Sequence, residues 1–152
     1  MKNKTGANYT GTQLEKFINE RLLERDYRLV PRAGFVAATA DKQPVYSRQF
    51  HIGSSIYDTP LYCDFILYHP DRHPGCLIIE SKWQQTGGSV DEKFPFFVHN
   101  IQQKHPHKTV VVLDGGGYKK KAEAWLRGQI GNNLLAVFSM AEFQKWANKG
   151  NI

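Results

Sequence analysis

Apolar residues recur along this chain with two periods, and the points where one gives way to the other mark its elements. Leu14, Phe17, Ile18 and Leu22 follow the spacing of one buried helical stripe, which predicts a helix over residues 13–25 with Thr10 or Thr12 as its cap. A short strand at 27–30 ends at Pro31, and residues 33–44, with Gly34, Pro44 and several alanines, read as a loop. Strands follow at 46–52 and 61–68, separated by the Gly53-Ser54-Ser55 break. The turn His69-Pro70-Asp71-Arg72-His73-Pro74-Gly75 joins the second of them to a strand at 76–82, so that these two form an antiparallel hairpin. After the Thr86-Gly87-Gly88 loop, Ser89 and Glu92 have capping-box spacing before a helix that turns Phe94, Phe97, Val98 and Ile101 inward, with Pro95 delaying its regular part. A buried strand at 109–113 then leads through Asp114-Gly115-Gly116-Gly117 to a helix at 118–127 and a strand at 134–138. Ser139 with Glu142 caps a last helix that runs to 148, and Gly150 stands where a helix-ending glycine belongs. The order α-β-β-β-α-β-α-β-α predicts an α/β (α+β) fold, one mixed β-sheet flanked by helices on both faces. Without repeats, linkers or low-complexity tracts, residues 1–152 read as a single domain.

One strand breaks its own pattern. Leu77-Ile78-Ile79 is buried-strand sequence, yet it runs straight into Glu80-Ser81-Lys82 with no turn residue between. Alternation puts Glu80 and Lys82 on one face and Ser81 on the other. One hairpin strand earlier, Leu61-Tyr62-Cys63-Asp64-Phe65-Ile66-Leu67 carries an acid in mid-run, which is costly unless something cationic compensates it. A turn centred on 71–73 brings Asp64 within a residue or two of facing Glu80, and cross-strand neighbours lie ~5 Å apart. Two carboxylates that close repel unless a cation sits between them. Lys82 offsets one charge. A hard divalent ion on Asp64, Glu80 and the backbone carbonyl of Ser81 would offset the other, and all-oxygen ligation with open water positions suits Mg²⁺, with Mn²⁺ as a substitute. Such an ion beside an ammonium is the apparatus of phosphodiester hydrolysis.

Asp64 and Glu80-Ser81-Lys82, with fifteen residues intervening, resemble the signature of the PD-(D/E)XK nuclease superfamily, which includes type II restriction endonucleases and Holliday-junction resolvases. Tyr62-Cys63 stands where the family often has a proline before its first acid. The resemblance extends to topology, because the motif falls on the second and third hairpin strands of a restriction-endonuclease-like core. It implies a first-helix glutamate that binds the metal or its water. Glu15, Glu20 and Glu24 compete for that role; Glu15 borders the buried stripe most closely, and Gly11-Thr12-Gln13-Leu14-Glu15 is similar to the resolvase-like opening. The catalytic set implied is therefore Glu15, Asp64, Glu80 and Lys82, acting on DNA to leave 5′-phosphates and 3′-hydroxyls.

Composition agrees with this without requiring it. Twenty Lys+Arg against fourteen Asp+Glu leave a net charge of +6, which favours a polyanionic partner. Gln84, Lys93 and the run Lys119-Lys120-Lys121 are candidate DNA contacts, the three lysines being an odd choice at the positive end of a helix dipole unless phosphate arrives there. Trp83, beside the site, is the one tryptophan with a candidate DNA role. The glycine run after Asp114 lacks a phosphate-loop ending and reads as a tight turn, while the six histidines match no zinc spacing. No window approaches the ~20 apolar residues of a membrane span, and Met1–Gly6 has no apolar core to follow its charges. Cys63 and Cys76 read as reduced core thiols of a cytoplasmic protein. A chain this short needs a homodimer or higher oligomer to cut both strands. The rival reading is a non-catalytic nucleic-acid-binding or assembly subunit on a nuclease-like fold.

Overall fold

The computed structural model describes residues 6–152, with side chains from Gly11 onward. The reading of Met1–Gly6 lies almost wholly outside this range. Six strands form one sheet in sequential order: β1 (Arg28–Leu29), β2 (Val45–Ser54), β3 (Pro60–His69), β4 (His73–Trp83), β5 (Thr109–Asp114) and β6 (Leu134–Phe138). β2, β3 and β4 are antiparallel, and the outer pairs β1–β2, β4–β5 and β5–β6 are parallel. The sheet is thus mixed, with hairpins first and crossovers later. The helices are α1 (Gly6–Glu24), α2 (Phe35–Ala38), α3 (Phe94–Gln103), α4 (Lys120–Arg127) and α5 (Met140–Trp146). None among the described residues is long and apolar enough to cross a membrane.

Alternation along the strands divides the core. Leu77 and Ile79 of β4, Phe65 and Leu67 of β3, and Val110 and Val112 of β5 pack with Leu14, Ile18 and Leu22 of α1 and with Phe143 of α5. On the opposite face Ile78 and Ile66 pack with Phe35 of α2, while Val111 and Leu113 meet Phe94, Val98 and Ile101 of α3 and Leu126 of α4. Each large aliphatic side chain buried this way contributes ~1.5–3 kcal/mol.

Three boundaries differ from the sequence reading. α1 begins at Gly6, so its helix runs through Thr10 and Thr12 and neither caps its start; Thr10's side chain is not among those described. Residues 33–44 are not an open loop but three short helical pieces, Arg32–Gly34, Phe35–Ala38 and Thr39–Asp41, which bury Phe35 over β2. The box expected from Ser89 and Glu92 is replaced by a 3-10 turn at Asp91–Lys93, and α3 starts at Phe94 with Pro95 in its first turn, where a missing N–H is harmless. The Ser139–Glu142 capping box on α5 is formed, and Gly150 takes a φ of 82°.

Candidate active site

β3 and β4 register through Phe65–Ile79, Ile66–Ile78 and Leu67–Leu77, so the next step of the ladder sets Asp64 against Glu80. The ladder does not continue regularly there. Cys63 packs on the same face as Ile66, while Phe65 packs on the other, so alternation slips at Asp64. Across the β2–β3 pair the residue facing the slip is Gln49, which takes a left-handed φ of 50°, a strained conformation for a residue with a side chain. The slip frees Asp64 from the sheet plane. Its Oδ2 accepts from the Ser81 backbone N–H at 2.8 Å and the Ser81 hydroxyl at 3.1 Å. The Gln49 amide donates both to Asp64 Oδ1, at 3.4 Å, and to Glu15 Oε1, at 3.2 Å, and so links helix and strand carboxylates. Gly11, Leu14, Glu15, Asp64, Ser81 and Trp83 border one groove.

Glu80 and Lys82 share the other face, as alternation requires, and line a cavity of about 350 Å³. Glu80 is 5% exposed, and its Oε1 is buried with no hydrogen-bond partner. Burial above all, then the charge of Asp64, raises its carboxyl pKa well above the ordinary range; Lys82 and the Asp64 backbone amide oppose that. The Glu15 pKa is raised by partial burial and then by Asp64, against Arg48 and Lys82. Arg48 stands 3.7 Å from Glu15 and over the Phe65 ring. The Lys82 ammonium lies over the Phe97 ring, 4.7 Å from its centroid. The site is therefore divided: Glu15 and Asp64 open onto one groove with Ser81, and Glu80 and Lys82 onto another, so the two carboxylates expected to converge on one ion lie on adjacent strands but face different grooves. Glu20 and Glu24, the other first-helix acids, pair with Arg21 instead.

A family model described as a PD-(D/E)XK nuclease superfamily domain matches residues 6–151. The chain belongs to this superfamily. No curated protein and no solved structure matches it. Membership makes a nucleic acid the substrate class, and the mixed sheet flanked by helices is consistent with a PD-(D/E)XK-like core. Nucleases of the superfamily generally use divalent metals. Among the described residues no three His, Cys, Asp or Glu side chains are gathered closely enough to cage an ion alone. The oxygen donors present nevertheless suit a hard cation, and Glu80 Oε1, buried without a hydrogen-bond partner, is an oxygen that a cation would satisfy.

The outlying candidates separate. Gln84 is a correction: it is 6% exposed and does not face substrate. Its amide donates to Asp91 Oδ1 at 3.2 Å and to the Gly117 carbonyl at 2.9 Å, and its carbonyl accepts from the Val90 N–H. It fastens the end of β4 to the loops around it. Lys93 is exposed and borders the Glu80 cavity, and Lys119, Lys120 and Lys121 are exposed where α4 begins and do not line that cavity. Asp91 accepts from the Lys119 N–H, taking up one free donor at that helix start. Gln49, Arg48, Phe97 and His105 were not anticipated. Only the polar interruption Arg48-Gln49 within an apolar strand hinted at them, since the rest owe their place to packing between distant segments.

Proposed function

We propose that this domain, residues 1–152 as one unit, is a Mg²⁺-dependent DNA endonuclease that leaves 5′-phosphate and 3′-hydroxyl ends. The observation that carries the reading is Glu80: buried, with one oxygen unpartnered, on a strand adjacent to Asp64 and lining one cavity with Lys82. For Asp64, Glu80 and the Ser81 carbonyl to hold one ion, the Asp64 and Glu80 side chains, which open onto different grooves, would have to turn toward one another. A divalent cation, when bound, offsets charge developing on the phosphate and acidifies water beside it. Ser81, through its N–H and hydroxyl, holds Asp64 by Oδ2, and Oδ1 accepts from the Gln49 amide. Glu15, beside Asp64, would assist through water or a second ion, and the Lys82 ammonium, beside Glu80, would orient the nucleophilic water. Duplex cleavage then needs a homodimer or a partner subunit. The free thiols of Cys63 and Cys76 are in keeping with a cytoplasmic setting.

Nicking of supercoiled plasmid with and without Mg²⁺ tests this reading. Wild type should nick only with the metal, and Asp64→Ala and Lys82→Ala should each reduce the rate by ~10²-fold or more. Equal activity in the variants, or none in wild type across plasmid, linear duplex, single strand and four-way junction, would leave the non-catalytic binding role.

A further inference from the structure

The cavity whose floor holds Glu80 and Lys82 has walls that hydrolysis does not explain. Tyr62, Phe94, Phe96 and Phe97 line it, with Lys93 at its rim. Phe96 is 37% exposed and stacks on Tyr57, which is 73% exposed, with centroids 4.9 Å apart and planes only 26° from parallel. Tyr62 is 52% exposed and packs against His51. Rings this open contribute little to a core, and adjacent rings set nearly parallel in water form a platform.

The platform is held in place. Tyr57 sits in the turn between β2 and β3, where the Ile56 N–H donates to Asn100 Oδ1 on α3 at 2.9 Å. The Ser55 N–H also donates to the Thr59 carbonyl at 2.7 Å. The same Asn100 borders the cavity, so one buried amide ties the turn to the helix that carries Phe96.

We infer that this aromatic wall is a stacking site for an unpaired nucleobase next to the scissile phosphate, so that the substrate is a single strand or a locally unpaired segment rather than regular duplex. The inference rests on the nuclease reading for the position of that phosphate. A base in intact duplex keeps both faces stacked inside the helix and cannot lie on a protein ring, whereas an unpaired base offers its π-face to one. The charge is complementary: Lys82 and Lys93 border the cavity, and the chain carries +6 overall. The volume, about 350 Å³, is within the range of small-ligand sites.

The test uses an Asp64→Asn protein, to prevent cutting, and oligonucleotides containing 2-aminopurine, whose fluorescence falls when it stacks. The single strand should be quenched on binding and should bind at least ~10-fold more tightly than the matched duplex. Tyr57→Ala with Phe96→Leu, both at exposed positions, should remove the quench and weaken single-strand binding by ~10-fold while leaving the melting temperature within a few degrees. Unchanged quench and affinity in the double variant overturns the inference. So does a double variant altered only in sedimentation, which would make the wall a protein interface. Wild-type Mg²⁺ cleavage is scored separately: quench without cleavage keeps the stacking site and sinks the nuclease reading, and cleavage without quench does the reverse.

Discussion

At the scale of single residues, the chemistry of Glu80 is set by what surrounds it rather than by its type. Because burial and Asp64 raise its pKa, the folded state keeps a proton there at pH values where the unfolded chain has lost it. Its contribution to stability is therefore present below pH 4.5 and is lost as pH rises through the raised value. Glu80→Gln should stabilise the metal-free protein at neutral pH; on the proposed metal role, Mg²⁺ should raise the melting temperature of wild type and not that of this variant, and calorimetry with and without the ion checks both. His105 has the opposite sign. Burial first, then His107 and Lys82, lowers its pKa from 6.5 to about 4, and its ring bonds Thr109 Oγ1 at 2.8 Å. Folded protein holds this ring neutral, so stability is lost as pH falls from 6.5 toward about 4, by about 3 kcal/mol in the limit. His69, His73 and His107 are shifted the same way, and His105→Gln should flatten only part of an acid-denaturation curve. Gln84→Leu should cost about 2 kcal/mol in urea unfolding, because the Val90 N–H and the Asp91 carboxylate would be left buried without it.

At the scale of elements, the end of β4 explains why an apolar strand could stop on charged residues without a turn signal. Its last residues are gripped from outside. Asp114 and Gly117 exchange backbone hydrogen bonds with Gln84, and the glycine run allows the approach. A Cβ on Gly117 would meet the Gln85 carbonyl carbon at 2.5 Å, and one on Gly115, at φ 106°, the Gln84 oxygen at 2.4 Å. Gly117→Ala should therefore loosen the β4 end; amide exchange around Gln84 and Gln85 should quicken well beyond what the same substitution does at the unobstructed Gly116. The tight-turn reading of these glycines came from their composition, and the obstruction that enforces it comes from the distant end of β4, at Gln84 and Gln85. The Ser89 box failed for a related reason: Val90 and Asp91 are held by Gln84, which leaves that turn no freedom to cap.

At the scale of the whole molecule, three exposed lysines stand at the start of α4, outside the lining of the cavity that Lys93 borders. If phosphate binds along that patch, replacing Lys119, Lys120 and Lys121 by Gln should lower the slope of log affinity against log salt by about 2 to 3. An unchanged slope would mark a solvated face. What the chain's own pattern determined is the element order, the mixed sheet, the hairpin and the adjacency of the strands that carry Asp64 and Glu80, because periods of two and 3.6 and turn chemistry are local properties of a chain; that the two side chains open onto different grooves was not legible in it. It also singled out Glu15 by its place on a helical wheel. Tertiary structure alone decided the slip at Asp64 and the strained Gln49 that bridges Glu15 to it, along with the cation–π seat of Lys82 and the aromatic wall beside Glu80. Each of these depends on side chains that meet across tens of residues, where no local period constrains which atoms come into contact.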